Sequence, residues 1–206
     1  MKRSKIAALI MALAVLAASA FAVSAKELTN DTPDGTSEVH ARIQGDGEVS
    51  YVVEIPDSVD FGTLTQPETD TDSYTYQSFT VTLKEVTGLE SNQRVGVWVK
   101  DQNAVLGEDE QFYLTQQVAE SPFKMTYDVY GEEVNDGNIA EKTAINSGEM
   151  GENGYMFVML KDANDTLNAT LALNQKQIYG QNLNDLAGEY SGTMTFHTEI
   201  TESILP

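Results

Sequence analysis

The stretch GEYSGTMTFHTEI, residues 188–200, is the most regular in the chain. Read alternately, it is two sequences. Tyr190, Met194, Phe196 and Ile200 fall on one face of an extended strand, and Ser191, Thr193, Thr195, His197 and Glu199 fall on the other. Such alternation marks a strand with one face on a core and the other in water. The expectation is one closing strand, opened by a glycine and a tyrosine. It would pair along an edge that otherwise invites aggregation.

The same period-two pattern recurs upstream. Val39, Ala41 and Ile43 share a face, as do Val49, Tyr51, Val53 and Ile55, a run stopped by Pro56. Phe79, Val81 and Leu83 form a third set, Val95, Val97 and Val99 a fourth, and Phe123, Met125, Tyr127 and Val129 a fifth. Leu167, Ala169, Leu171 and Leu173 form a sixth. The run YMFVML, residues 155–160, is apolar on both faces and reads as a central or doubly covered strand. Turn-rich pieces such as QPETDTDS, NDGN and GEMGENG separate these runs, and only short helical turns are expected, near residues 141–145 and 182–187. About eight to ten short strands predict an all-β chain, a mostly antiparallel sandwich of Ig-like or jelly-roll type.

Residues 1–25 read differently. Lys2, Arg3 and Lys5 precede an uncharged, Ala- and Leu-rich run, and small residues up to Ala25 lead into the polar Lys26. That is the pattern of a secretory signal peptide. Its removal would leave 181 residues, with residues 26–36 (KELTNDTPDGT) as a flexible leader and residues 37–206 as a single domain. The signal holds three basic and no acidic residues, so the formal charge would move from −20 to −23. A chain this acidic repels nucleic acid and anionic headgroups, and after signal cleavage no membrane contact is expected. The chain has no cysteine, which removes thiol catalysis and cysteine metal sites and leaves the core alone to hold the fold. An exported, disulfide-free bacterial protein is expected. Its partners would be a cell-wall polymer or glycan, or a surface protein.

Three stretches resemble a known family. IPDSVDFGTL (55–64) resembles the opening of many secreted Firmicute surface domains, and NQRVGVWVK (92–100) is similar to the first signature of the WxL cell-wall-binding family. AGEYSGTMTFHTEITESILP (187–206) resembles its closing signature. The departures are specific: Lys100 stands where leucine is expected after Trp98, and Phe196-His197-Thr198 has neither the tryptophan nor the leucine. The resemblance, a diverged one, implies a β-sandwich outside the cell that attaches non-covalently to a Gram-positive wall.

No pattern points to catalysis. His40 and His197 are the two histidines, and neither stands near a nucleophile motif. The acidic turns holding Asp70, Asp72, Asp136, Asp162 and Asp165 resemble fragments of calcium loops, yet none has the twelve-residue spacing. No enzyme, cofactor or metal site is expected, although a loose calcium or carbohydrate module stays open as a reading. Trp98 points away from the valine face of its strand, together with Arg94 and Lys100. An exposed indole between cations suits a sugar polymer, while the plainer reading is a ring covered by a loop. The segment EVHARI (38–43) is the other candidate. Val39, Ala41 and Ile43 would line a first strand of the home sheet, or one added to a neighbour's edge in a fibre or coat, as in pilins.

Overall fold

The computed structural model describes residues 49–117 and 121–202. Val39, Ala41, Ile43 and His40, the signal segment and the leader lie outside the described residues. Residues Gln44–Pro206 form one compact unit.

Among the described residues nine strands make two antiparallel sheets. They are β1 (Ser50–Glu54), β2 (Tyr74–Thr87), β3 (Gln93–Asp101), β4 (Phe112–Gln116), β5 (Lys124–Tyr130), β6 (Tyr155–Leu160), β7 (Thr166–Asn174), β8 (Tyr190–Ser191) and β9 (Met194–Glu202). One sheet has the order β1-β2-β7-β5-β4-β8, the other β6-β3-β9. Among the described residues, helical structure is confined to 3₁₀ turns at Ile139–Glu141, Ile145–Ser147 and Gln175–Ile178 and one α-helical turn, α1, at Leu183–Leu186.

The alternating sets become the inner faces. Phe79, Val81 and Leu83 of β2 and Val95, Val97 and Val99 of β3 are buried, the three valines completely. Each such side chain contributes about 1.5–3 kcal/mol on leaving water. The sheets meet through rings: Phe79 of β2 stacks on Phe157 of β6 at 5.8 Å, and Phe196 of β9 stands edge-on to both, at 6.4 and 6.3 Å. Within the stretch 55–64, Phe61 enters the same core against Tyr127, and the turn after it closes by the Gly62 N–H donating to Asp60 Oδ1.

The central strand β7 is covered on both sides. Its second face carries Thr170 and Ala172 beneath Tyr130 and Val134. Thr170 Oγ1 accepts from the Val134 N–H and donates to the Glu132 carbonyl, both at 3.0 Å, which ties the overlying segment down. Asn146 does the same for the next turn, accepting from the buried Val129 N–H and donating to Asp128.

Two expectations are corrected. Residues 155–160 do not form a doubly covered strand: β6 is an edge strand, and Met156 is 40 % exposed. Its outward methionines lie beside Trp98 on the outer face, so apolar residues on both faces here do not report cover on both faces. The stretch 188–200 is not one strand either. Tyr190–Ser191 pair with Gln116 and Thr115 in the six-stranded sheet, and Met194–Glu202 pair with β3 in the other. The chain changes sheets at Gly192-Thr193. There the backbone passes so close to β4 that a β-carbon on Gly192 would lie 1.9 Å from the Tyr113 carbonyl oxygen. Only glycine allows that approach.

One of the two sheets is strongly curled, and both ends of the six-stranded sheet reach β9. At one end β8 runs into β9 through two residues. At the other, the Tyr51 hydroxyl of β1 donates to the carbonyl and Oγ1 of Thr198, at 3.1 and 3.2 Å.

Candidate functional site

The three-stranded sheet carries two features that a core does not require. The first is its outer face. Alternation on β3 sends Arg94, Gly96, Trp98 and Lys100 outward, because Val95, Val97 and Val99 point into the core. Register then sets their neighbours. Trp98 stands between Met156 of β6 and His197 of β9, and Gly96 between Met159 and Glu199. A bulge in β6 at Phe157 turns that ring inward and leaves Met156 and Met159 outward.

Trp98 is half-buried. Its six-membered ring lies along the strand over Gly96, where an added β-carbon would sit 2.4 Å from Cη2. The His197 ring is tilted against the indole at 6.0 Å, and His197 Nε2 lies 3.6 Å from Glu199 Oε2. Gly96 and the two methionines were not singled out in the sequence. The one signal for the glycine was its place two residues before the tryptophan on the same face.

The flanking cations are held by carbonyl groups. Arg94 Nη1 donates to the carbonyls of Gln93 at 2.7 Å and Ser91 at 3.1 Å. Lys100 Nζ donates to the Glu152 carbonyl at 2.9 Å. Lys161, directly after β6, donates to the same Ser91 carbonyl at 2.6 Å. Asp165 lies within the field of Arg94. Its carboxylate accepts the Lys161 and Asp162 N–H groups at 2.8 Å each, and these bonds, with Arg94 adding less, hold its pKa below the usual carboxylate range.

The second feature is an edge. Among the described residues β9 pairs on one side only, with β3. The Thr198 carbonyl points away from β3, since it meets Tyr51. By alternation Met194, Phe196 and Ile200 turn their N–H and C=O groups the same way. The side chains of those three residues face inward, yet Met194 and Phe196 are only half-buried and Ile200 is 37 % exposed. Opposite them, Tyr51 and Val53 of β1 are also half-buried. The flank between β1 and β9 is therefore a sandwich side with its core partly in view.

The other acidic candidates are absorbed by local structure. Asp70 and Asp72 lie 3.6 and 3.9 Å from Lys176 Nζ, and Asp136 accepts the Tyr76 hydroxyl at 2.9 Å. Asp101, at the end of β3, is 2 % exposed and accepts the N–H groups of Asn103 at 2.8 Å and Tyr113 at 3.1 Å. It borders a shallow polar hollow between β4 and the Gly192 crossing. Among the described residues no three His, Asp or Glu side chains gather as metal ligands would.

No family model matches the chain, and no curated protein does. The WxL likeness thus rests on the quoted stretches alone. Among solved structures, the chain is similar to one from a study entitled "Chaperone-tip adhesin complex is vital for synergistic activation of CFA/I fimbriae biogenesis". The identity is 14 % and the TM-score 0.46, over 75 % of this chain and 42 % of that one. This chain therefore spans less than half the length of that protein.

Proposed function

We propose that the chain is a secreted, non-catalytic structural protein of a bacterial cell surface, a subunit that joins its neighbours strand to edge. The observation that carries this reading is the open flank between β1 and β9. A nine-residue strand that, among the described residues, pairs on one side only and leaves its inward side chains partly exposed is a template for one more strand. The sequence holds a segment of matching pattern. Val39, Ala41 and Ile43 alternate with polar residues and follow a Pro- and Gly-containing leader. Residues 38–43 of one copy would complete the flank of the next, a heterologous contact that propagates into a fibre or coat. The export signal and the acidic surface support a place outside the cell, and wall association of such a fibre is the role that the WxL resemblance implies.

Residues 26–206 test the reading in sedimentation-velocity runs at rising concentration. Growing oligomers are expected. Ile43→Asp removes the donor strand and Ile200→Asp the acceptor edge, so each alone should sediment as a monomer with little change in Tm. Mixed together, the two variants should give heterodimers, because each retains the half that the other lacks. A wild-type chain that stays monomeric throughout, or oligomers indifferent to both substitutions, would overturn the proposal.

A further inference from the structure

Charge is distributed unevenly over this acidic chain. Of the seven basic residues between positions 49 and 202, three (Arg94, Lys100 and Lys161) surround the outer face that holds the chain's one tryptophan. Lys84, Lys142 and Lys176 each meet a carboxylate, and Lys124 sits over the Tyr113 ring at 5.0 Å. Among the described residues the three around Trp98 meet no carboxylate within ion-pair distance. They lean on carbonyl oxygens, and two of them, Arg94 and Lys161, share the one at Ser91.

That arrangement is unbalanced. Two positive charges converge on one neutral oxygen, which offsets only part of their repulsion. Asp165 stands close by and its charge offsets part of that repulsion, but its carboxylate is turned onto two backbone N–H groups and makes no ion pair with either cation. An external anion bridging Arg94 and Lys161 would relieve the repulsion and gain charge-assisted hydrogen bonds. Farther along the strand, Trp98 offers an aromatic surface beside Met156 and His197, with Lys100 beyond. From Arg94 to Lys100 the strand runs about 20 Å at ordinary strand rise, room for several linked rings.

We propose that this face binds a short stretch of an acidic polysaccharide. A sugar carboxylate sits between Arg94 and Lys161, a following ring stacks on Trp98, and Lys100 meets an acid group farther on. Glu199 and His197 are placed to hydrogen-bond hydroxyl groups. The net charge of −20 opposes long polyanions, but at physiological salt the field of distant carboxylates fades within about 8 Å. The local face therefore decides for an oligomer of a few units, which is why a glycan is favoured here over nucleic acid. The proposal is independent of strand-to-edge assembly, since it uses the face of the sheet and not its flank.

Trp98 is its own reporter. Residues 26–206 are titrated with trigalacturonic acid, with maltotriose and with sodium acetate, and indole emission is followed. Trigalacturonic acid should give a saturable change that weakens as sodium chloride is added. Maltotriose, which lacks the acid groups, and acetate, which lacks the ring, should each bind at least about tenfold more weakly. Arg94→Gln combined with Lys161→Gln should lower affinity about tenfold or more while leaving the far-UV spectrum unchanged. Gly96→Ala keeps every contacting group but displaces the indole, and it should weaken binding without removing the salt dependence. No saturable change up to about 1 mM would overturn the proposal. So would an equal response to maltotriose or acetate, or a double variant that binds as the wild type does. Sedimentation of the same samples separates this result from the assembly test.

Discussion

Replacing Gly192 with alanine would put a β-carbon where the Tyr113 carbonyl already stands. The built position is 1.9 Å from that oxygen and 3.1 Å from its carbon. Real contacts of this kind do not fall below 3.0 Å, so the backbone must open by about an ångström. Nothing flexible yields, because the obstacle is main chain. Moving away from β4 pulls on the bonds that flank the crossing, from Gln117 N–H to the Glu189 carbonyl and from Gln102 N–H to the Thr193 carbonyl, each 2.9 Å. Two such bonds are worth about 1 kcal/mol each, and residual strain adds about 1 kcal/mol. Alanine stiffens the unfolded chain and returns about 0.4–1 kcal/mol. The net expectation is a loss of about 2 kcal/mol. Gly180→Ala is the control. Its φ of +69° strains an alanine, but nothing lies within 4 Å of the new carbon, so it should lose no more than about 1 kcal/mol. Urea unfolding followed by far-UV circular dichroism measures both, with m-values expected to match the wild type. If Gly192→Ala stays within about 0.5 kcal/mol of the wild type, or costs less than Gly180→Ala, close approach is not what the glycine provides. The account of the sheet crossing would then fail.

Two further predictions concern carboxylates. Asp101→Asn should destabilise by about 1–3 kcal/mol in the same urea assay, because an amide NH₂ would face either the Asn103 or the Tyr113 N–H; a neutral effect would mean that the turn after β3 does not depend on that acceptor pair. Asp165 gives a pH dependence. Its folded pKa lies below the unfolded value of about 3.9, so its contribution is fully present above that value and is lost as pH falls through the lowered one. The stability gap between wild type and Asp165→Asn should therefore be constant at neutral pH and shrink below about pH 4, and a gap that widens on acidification would contradict the backbone bonds assigned to this carboxylate.

Alternation carried most of the fold because a strand with one buried face has little freedom in sequence. The sets on β2, β3, β5 and β7 are buried as their periods required, except at their ends, where Phe123 and Leu167 are half-buried. β4 was not among the strands expected. Its inward residues are Phe112, Leu114 and Gln116, and the last is a buried amide that donates to the Asp185 and Ala187 carbonyls, a role that polarity alone disguises. The sheet change at Gly192 was hidden for another reason. Tyr190 and Met194 keep the same phase on either side of the crossing, so the pattern runs unbroken while the partners change. In the candidate site, the outward direction of Trp98, Arg94 and Lys100 followed from the valines between them. The convergence of Arg94 and Lys161 on Ser91 did not, because it depends on how β6 registers against β3, and a bulge sets that register.

Both exposed features belong to the thinner sheet, and there is a structural reason. Among the described residues β3 is the only strand of the smaller sheet with neighbours on both sides. Its valines are fully buried, while on β9 the inward residues are only partly covered. The smaller sheet thus holds its place through one strand and offers the rest: a face through Trp98 and an edge through β9. A substitution inside β3, such as Val97→Ala, should damage both at once by loosening the strand they share, at a cost of about 1–3 kcal/mol. Substitutions at Ile200 or Arg94 should separate them.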